Sequence, residues 1–426
     1  MTDENVIDLN ETKRSQGRHK SKAAPRFNWA ADLLVDGDSG KIINCLPNAI
    51  RSFEIAPQLR GCIGFNEMTG QVSVLKPLPA VNAAAARDAG RTIDDVDIVL
   101  LQEWLQLEAM WPSLPKASVI DAVEAVARAN RFHPVRDYLS GLEWDGRARV
   151  GGWLSSYLGA RSNPYTNNAG TMWLIAAVAR IFEPGCQADY MVVLEGEQGE
   201  QKSTALRILG GEWFGDQLPG DLSSKDSSIV LRGKWIIEAS EMASMNRADT
   251  NVLKAFVTRR IEDYRPPHAR FNVTVPRQCV FAGTINPGAN GYLKDATGGR
   301  RFWPIKIGKL SIPKLRHDRD QLWAEAVQLY RQGVHWWPDR DFERKVFAPA
   351  QDDARELDPW EDIVSRYLEG RSSISMAELA TDCLSLSPRD YRKDVQVRIG
   401  ECLRSLGWRK GSKDPKTRRQ LFVRDQ

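Results

Sequence analysis

A chain of 426 residues is long enough for two to four domains at about 150 residues each. Its 42% hydrophobic and 27% charged residues exclude a wholly disordered or collagen-like chain, and no apolar run approaches the ~18 residues that a membrane span needs. The net charge of +4 is unevenly placed: residues 371–426 hold 13 Lys and Arg against 7 Asp and Glu, whereas the preceding 370 hold 46 against 48. Six scattered cysteines (Cys45, Cys62, Cys186, Cys279, Cys383, Cys402) form no CxxC pair, which fits a reducing, cytoplasmic setting and argues against a disulfide scaffold or a zinc finger. The five histidines are isolated from one another in sequence and suggest no metal cluster or triad.

Residues 1–26 are polar, mixed in charge and without periodicity, which predicts a disordered tail and not a secretory signal. Residues 27–112 read as a small mixed domain, with strand-like KIINCL and QVSVL and turns at DGDSG and MTG. Within it, Ile98, Leu101, Trp104 and Leu105 mark a helix. Residues 113–186 read as a helical region. It opens with the stripe Val119, Ala122, Val123, Val126 and Ala127, with Ser118 as candidate N-cap, and closes with TMWLIAAVARIF before Pro184-Gly185.

At Asp189 the period changes, and residues 187–310 read as an α/β core. YMVVLEG is a short apolar run ending in Gly, which predicts a buried parallel strand, and STALRILGGEWF predicts a helix. Between them, Gly196-Glu197-Gln198-Gly199-Glu200-Gln201-Lys202-Ser203 nearly matches the phosphate-loop pattern G-x-x-x-x-G-K-[ST]. In that pattern backbone N–H groups and a helix N-terminus hold the triphosphate, the lysine bridges the β- and γ-phosphates and the hydroxyl binds Mg²⁺. Gly196, Gly199, Gln201, Lys202, Ser203 and Thr204 are therefore the expected ATP contacts. The departure is Gln201, where the pattern has Gly, so either affinity or the loop path should differ.

About 35 residues on, GKWIIEASEM predicts a second apolar strand ending in acids. Glu238 and Glu241 are candidates for holding the Mg²⁺ shell, with Ser203, and for orienting the attacking water; the sequence leaves open which does which. QCVFAGTINPG predicts a third strand, ending in Thr284 and Asn286, where a polar tip can orient water or sense the γ-phosphate. LKDATGGRRFWPI carries Asp295, Arg300 and Arg301; the arginines are either a surface ion-paired doublet or a finger reaching a neighbouring subunit's nucleotide. Between the acids and Asn286, Lys254, Arg259, Arg260, Arg265, Arg270 and Arg277 alternate with Tyr264 and Phe271, a mixture suited to single-stranded nucleic acid or to an exposed ion-paired face.

Residues 311–360 read as a helical linker. In 361–426, Met376, Leu379, Ala380 and Cys383 keep helical spacing, and Val395, Val397, Ile399, Leu403 and Leu406 give a second stripe before Gly407. A basic turn and the strand-like RRQLFVRDQ follow, which together predict a winged helix. Arg409, Lys410, Arg418 and Arg419 are its expected DNA contacts.

FHPVRDYLSGLEWDGRARV, ARIFEPGCQADYMVVLEGEQGEQKSTALRILGGEWF, GKWIIEASEM, KAFVTRRIEDYRPP, VPRQCVFAGTINP and YLKDATGGRRFWPI stand in one order over roughly residues 130–307. In these segments the chain resembles the virulence-associated protein E family, phage- and island-borne ATPases related to superfamily 3 helicases. The resemblance implies an AAA+/superfamily 3-like P-loop fold. It places Lys202 and Ser203 on the Walker A lysine and hydroxyl, and Glu238 and Glu241 on the acidic strand end. Asn286 falls on the sensor asparagine, Arg300 and Arg301 on the finger doublet, and Asp263 and Arg265 on an element that contacts DNA. It further implies hexameric rings that move along DNA. No carboxylate constellation before residue 110 predicts a primase site.

The expected activity is Mg-ATP hydrolysis driving unwinding or translocation of single-stranded or forked DNA in phage or mobile-element replication. The alternatives are a nucleotide-gated initiator or loader that binds DNA without unwinding it, and a remodelling ATPase in host interference.

Overall fold

The computed structural model describes residues 28–424 except 219–220, 223, 225–226, 241, 243–246, 267–270, 287–298, 354–358, 388 and 416. The expected disordered tail, Glu241, Arg270 and Asp295 lie outside the described residues. The chain is mixed α/β and divides into two compact units at Phe132/His133.

The first unit contains α1 (Leu46–Ile55), β1 (Ile63–Asn66), β2 (Gln71–Val74), β3 (Arg91–Thr92), α2 (Asp95–Leu107), α3 (Lys116–Ala129) and β4 (Arg131–Phe132). Its sheet runs β3-β2-β1-β4. The QVSVL strand is β2, whereas KIINCL makes only one isolated bridge, Val35 to Ile42. Asp94 caps α2 through a reciprocal box with Asp97. α3 starts after Pro115, two residues before the expected Ser118 cap region. It also belongs to this unit and not to the region preceding the phosphate loop. Val119, Ala122, Val123 and Ala127 bury their face in one cluster with Phe53, Leu101 and Trp104.

The second unit begins with α4 (Pro134–Ser140), α5 (Trp153–Leu158) and α6 (Pro164–Phe182). There follow β5 (Met191–Glu195), α7 (Lys202–Gly210), β6 (Phe214–Gly215), α8 (Ser227–Val230), β7 (Ile236–Ala239), α9 (Arg247–Val257), β8 (Ile261–Tyr264), β9 (Val273–Pro276), β10 (Val280–Ile285), β11 (Phe302–Lys306) and α10 (Ile312–Arg331). The main sheet runs β11-β5-β10-β7-β6 with every pair parallel. β5 and β10 are buried along their whole length, as continuous apolar runs require.

Three indoles donate to buried main-chain oxygens: Trp173 to Phe281 (2.8 Å), Trp235 to Ala177 (2.8 Å) and Trp323 to Leu209 (3.1 Å). Each joins an apolar body to a satisfied polar end, and together they fasten α6, α7, α10 and the sheet. Residues 311–360, expected as a linker, are therefore largely part of the core. Leu315, Leu322, Trp323 and Ala326 of α10 are buried, with Trp323 4.2 Å from Trp235. The short α11 (Arg340–Phe342) and α12 (Ala348–Asp353) follow.

The chain closes with α13 (Pro359–Leu368), β12 (Ser373–Ser375), α14 (Met376–Glu378, continued by a π turn to Cys383), α15 (Lys393–Ser405), β13 (Trp408–Lys413) and β14 (Gln420–Arg424). The sheet order is β12-β14-β13, antiparallel throughout. In α15 the core face is Ile399, Cys402 and Leu403. Val397, expected in the same stripe, is exposed, because it stands two residues from Ile399 on a helix of 3.6 residues per turn.

β8 and β9 form an antiparallel hairpin not foreseen from the sequence. Its root is ionic and buried. Arg277 donates to Glu262 (2.7 Å from Nε) and to the main-chain oxygens of Phe256 and Val257, and Ser228 Oγ donates to Glu262 (2.5 Å). Glu262→Ala strands the Arg277 charge in the core and is expected to cost about 3–5 kcal/mol in urea unfolding. Ahead of α7, Gln201 sits at φ 59, ψ 28, a left-handed conformation that costs a residue with a side chain about 1–2 kcal/mol. Gln201→Gly is expected to raise stability by about 1 kcal/mol in the same measurement.

Candidate functional site

Parallel pairing brings the C-terminal ends of β5, β10 and β7 together: Ile285 is level with Glu195, and Gly283 with Ala239. β5 turns through Gly196–Gln201 into α7. The Gly196 N–H donates to Ile285 O (3.3 Å), and a Cβ on Gly196 would lie 2.6 Å from Ile307 Cγ1, so that approach needs glycine. Gly199 turns at φ +89. Gln201 takes a left-handed conformation that a glycine enters freely, so the departure from the loop pattern carries a conformational cost.

Lys202, the first residue of α7, is buried, and its ammonium donates to Gly196 O (2.5 Å), Glu197 O (2.8 Å) and Asn286 Oδ1 (3.0 Å). Burial lowers its pKa, and the Glu200 and Glu238 charges oppose that. Ser203 Oγ donates to Glu238 Oε1 (2.7 Å), and Thr284 Oγ1 donates to the same oxygen (2.6 Å). Glu238 is 2% exposed at the end of β7, so these hydroxyls offset the desolvation of its carboxylate. Thr204 lies half-buried on the next position of α7.

The structure thus brings Lys202 and Ser203 of α7, Glu238 of β7, and Thr284 and Asn286 at the end of β10 to one edge of the sheet, beside the positive end of α7. Among the described residues no group of three His, Cys, Asp or Glu is placed to hold a metal. A cation here would draw on the Ser203 hydroxyl and the Glu238 carboxylate, both hard oxygen donors.

Arg300 and Arg301 do not join these residues. They precede β11, whose Phe302 is level with Met191 at the start of β5. They therefore stand at the opposite edge, at least about 13 Å along the strand from the level of Glu195. Among the described residues, the buried Nε of Arg301 has no hydrogen-bond partner.

The expected nucleic-acid contacts divide. Arg265 is exposed beyond β8, and Phe271 is 80% exposed. Tyr264 points inward at 4% exposure, a position opposite to stacking. Lys254 is also corrected: it is 6% exposed on the inner face of α9, with its ammonium 6.0 Å from the Phe302 ring centre, so it does not meet solvent phosphates. Arg409, Lys410, Arg418 and Arg419 are exposed on β13 and the turn into β14. Arg389, Arg392 and Lys393, just ahead of and at the start of α15, are exposed as well.

The family model described as virulence-associated protein E-like domain matches residues 139–356, just over half of the chain. Among solved structures, the apo structure of the NrS-1 C terminal region (305–718) has a TM-score of 0.43 at 12% identity, covering 85% of this chain and 96% of that one. The A form apo structure of that region gives the same values. None of the curated proteins matches significantly. The matched stretch contains the β5–α7 loop, Glu238 and Asn286, and the chain belongs to the family defined by the virulence-associated protein E-like domain.

Proposed function

We propose that the chain is a P-loop ATPase that hydrolyses Mg-ATP and acts on DNA in phage or mobile-element replication, as a helicase or translocase. The observation that carries the reading is the convergence of Lys202, Ser203, Glu238 and Asn286 on one loop and three adjacent strand ends. The three acceptors of the Lys202 ammonium would be exchanged for phosphate oxygens, and the first-turn N–H groups of α7 would take the rest. Ser203 and Glu238 would hold Mg²⁺, which supplies neutralisation of the charge developing on the phosphates.

The bond from Ser203 supports Glu238 as the carboxylate on the metal side, leaving Glu241 as the candidate orienter of the attacking water. Asn286, tied to Lys202, would report the presence of a terminal phosphate to β10. Arg300 and Arg301, at the far edge of their own sheet, fit a role on a neighbour's nucleotide in a ring, with six copies as the resemblance implies. The order α13-β12-α14-α15-β13-β14, with β12 beside β14, supports a winged helix. Its exposed arginines and lysines supply phosphate contacts.

A loader without unwinding activity is separated by strand displacement: binding of ATP and DNA with no displacement favours it. The deciding measurement for the main reading is ATPase rate with and without single-stranded DNA, beside native mass. Turnover of Lys202→Ala at the parent rate would sink the reading, as would a protein that stays monomeric with ATP and DNA. Glu238→Gln preserves the acceptor for Ser203 but removes the charge, and is expected to lower Mg-dependent turnover about a hundredfold in a phosphate-release assay. Replacing both Arg418 and Arg419 by Ala is expected to reduce the slope of log affinity against log salt by about two, measured by anisotropy on labelled DNA.

A further inference from the structure

The N-terminal edge of the main sheet, opposite Lys202, holds a cavity of about 430 Å³ lined by Glu183, Cys186, Gln187, Asp189, Tyr190, Arg260, Trp336 and Trp337. We infer that this cavity takes one unstacked nucleotide of a single strand, with its base against the indole of Trp337 and its phosphate on Arg260. The inference rests on the reading of DNA as partner and locates a contact which that reading does not contain.

The size fits a single small ligand and not a duplex. Three of its eight lining residues, Tyr190, Trp336 and Trp337, are aromatic. Trp337 is 41% exposed, meets Trp336 edge-on at 4.9 Å and 88°, and is stacked by His335 at 4.7 Å. Trp336 is fixed by its Nε1, which donates to Gln187 O (2.7 Å), and Tyr190 is fixed by stacking on Trp303 at 4.7 Å. These rings are therefore held in place before a ligand arrives, as stacking platforms are.

Each acid already has a donor: Tyr330 OH to Glu183 (2.5 Å) and Gln187 Nε2 to Asp189 (2.5 Å). Arg260 uses only Nε, donating to Gly185 O (2.7 Å), and among the described residues its two terminal nitrogens carry no hydrogen bond. The donors to the two acids are neutral, so Glu183 and Asp189 keep their charge; Arg260 is the cation in the lining, and its fork-shaped terminal nitrogens at the surface suit a phosphate. The Cys186 thiol is pushed up to about 11 by burial, so it is a neutral wall and not a nucleophile. Arg260 also leads directly into β8, so the cavity adjoins the root of the hairpin.

The test is anisotropy of a fluorescein-labelled oligo-dT on the full chain, for wild type, Trp337→Phe, Trp337→Ala and Arg260→Gln. Trp337→Ala is expected to raise Kd about tenfold, Trp337→Phe much less, and Arg260→Gln to lower the salt slope by about one. Thermal melting checks folding, and Arg260, on the surface, gives a readout should the indole variant melt early. If wild type binds no single strand, the reading of DNA as partner fails. If wild type binds and the Ala and Gln variants bind as tightly, this inference alone fails. Thymidine monophosphate that displaces the oligonucleotide at equal concentration would overturn the assignment to a strand in favour of a free nucleotide.

Discussion

Five strands running in one direction give the core two chemically different edges, and almost every feature of the molecule follows from that alignment. The C-terminal edge collects loop ends, the positive start of α7 and the polar tips Glu238, Thr284 and Asn286. The N-terminal edge collects the root of the β8–β9 hairpin, Arg300 and Arg301, and the aromatic cavity. A parallel sheet admits no hairpin between neighbours, so each strand must return across a face. The faces are consequently filled by α6, α7 and α10, and the three indole-to-carbonyl bonds hold them there. Chemistry is left to the two edges.

β10 runs between those edges. At one end Arg277 is locked to Glu262 and to the end of α9; at the other Asn286 touches the Lys202 ammonium. Six extended residues span about 20 Å, so the strand ties the hairpin root to the phosphate-loop lysine without a flexible joint. Glu238 on the adjacent strand reinforces the tie, since a single oxygen accepts from hydroxyls on α7 and β10. Replacing either hydroxyl leaves a buried carboxylate short of a partner, which is why Ser203 and Thr284 belong to the same unit as the acid.

The sheet and its loop were legible in the sequence for a physical reason. β5, β7 and β10 are buried on both faces and so appear as unbroken apolar runs, each followed directly by its polar tip. The hairpin was not legible: Ile261–Tyr264 alternates burial with charged residues, and Glu262 looks exposed until Arg277, fifteen positions later, is seen beside it. Lys254 misled for the converse reason, as a cation counted towards a basic stretch while its helix turned it inward. The cavity was hidden by distance along the chain, since residues 183–190, 260 and 336–337 share no local pattern. In the C-terminal segment the helices were visible through their stripes, whereas β12 and most of β13, short and polar, were not.

The main sheet also has two lateral borders. One is β6, only two residues long. The other is β11, which carries Pro304 at its centre and so lacks one amide along its outer row. Neither border offers an approaching strand a continuous run of main-chain partners. Copies of this chain therefore gain little by joining main sheet to main sheet, and an assembly through these two borders rests on side chains. Its contacts can then loosen and re-form without tearing a hydrogen-bonded ladder, and the folded core is sheltered from the strand-by-strand stacking that leads to fibres.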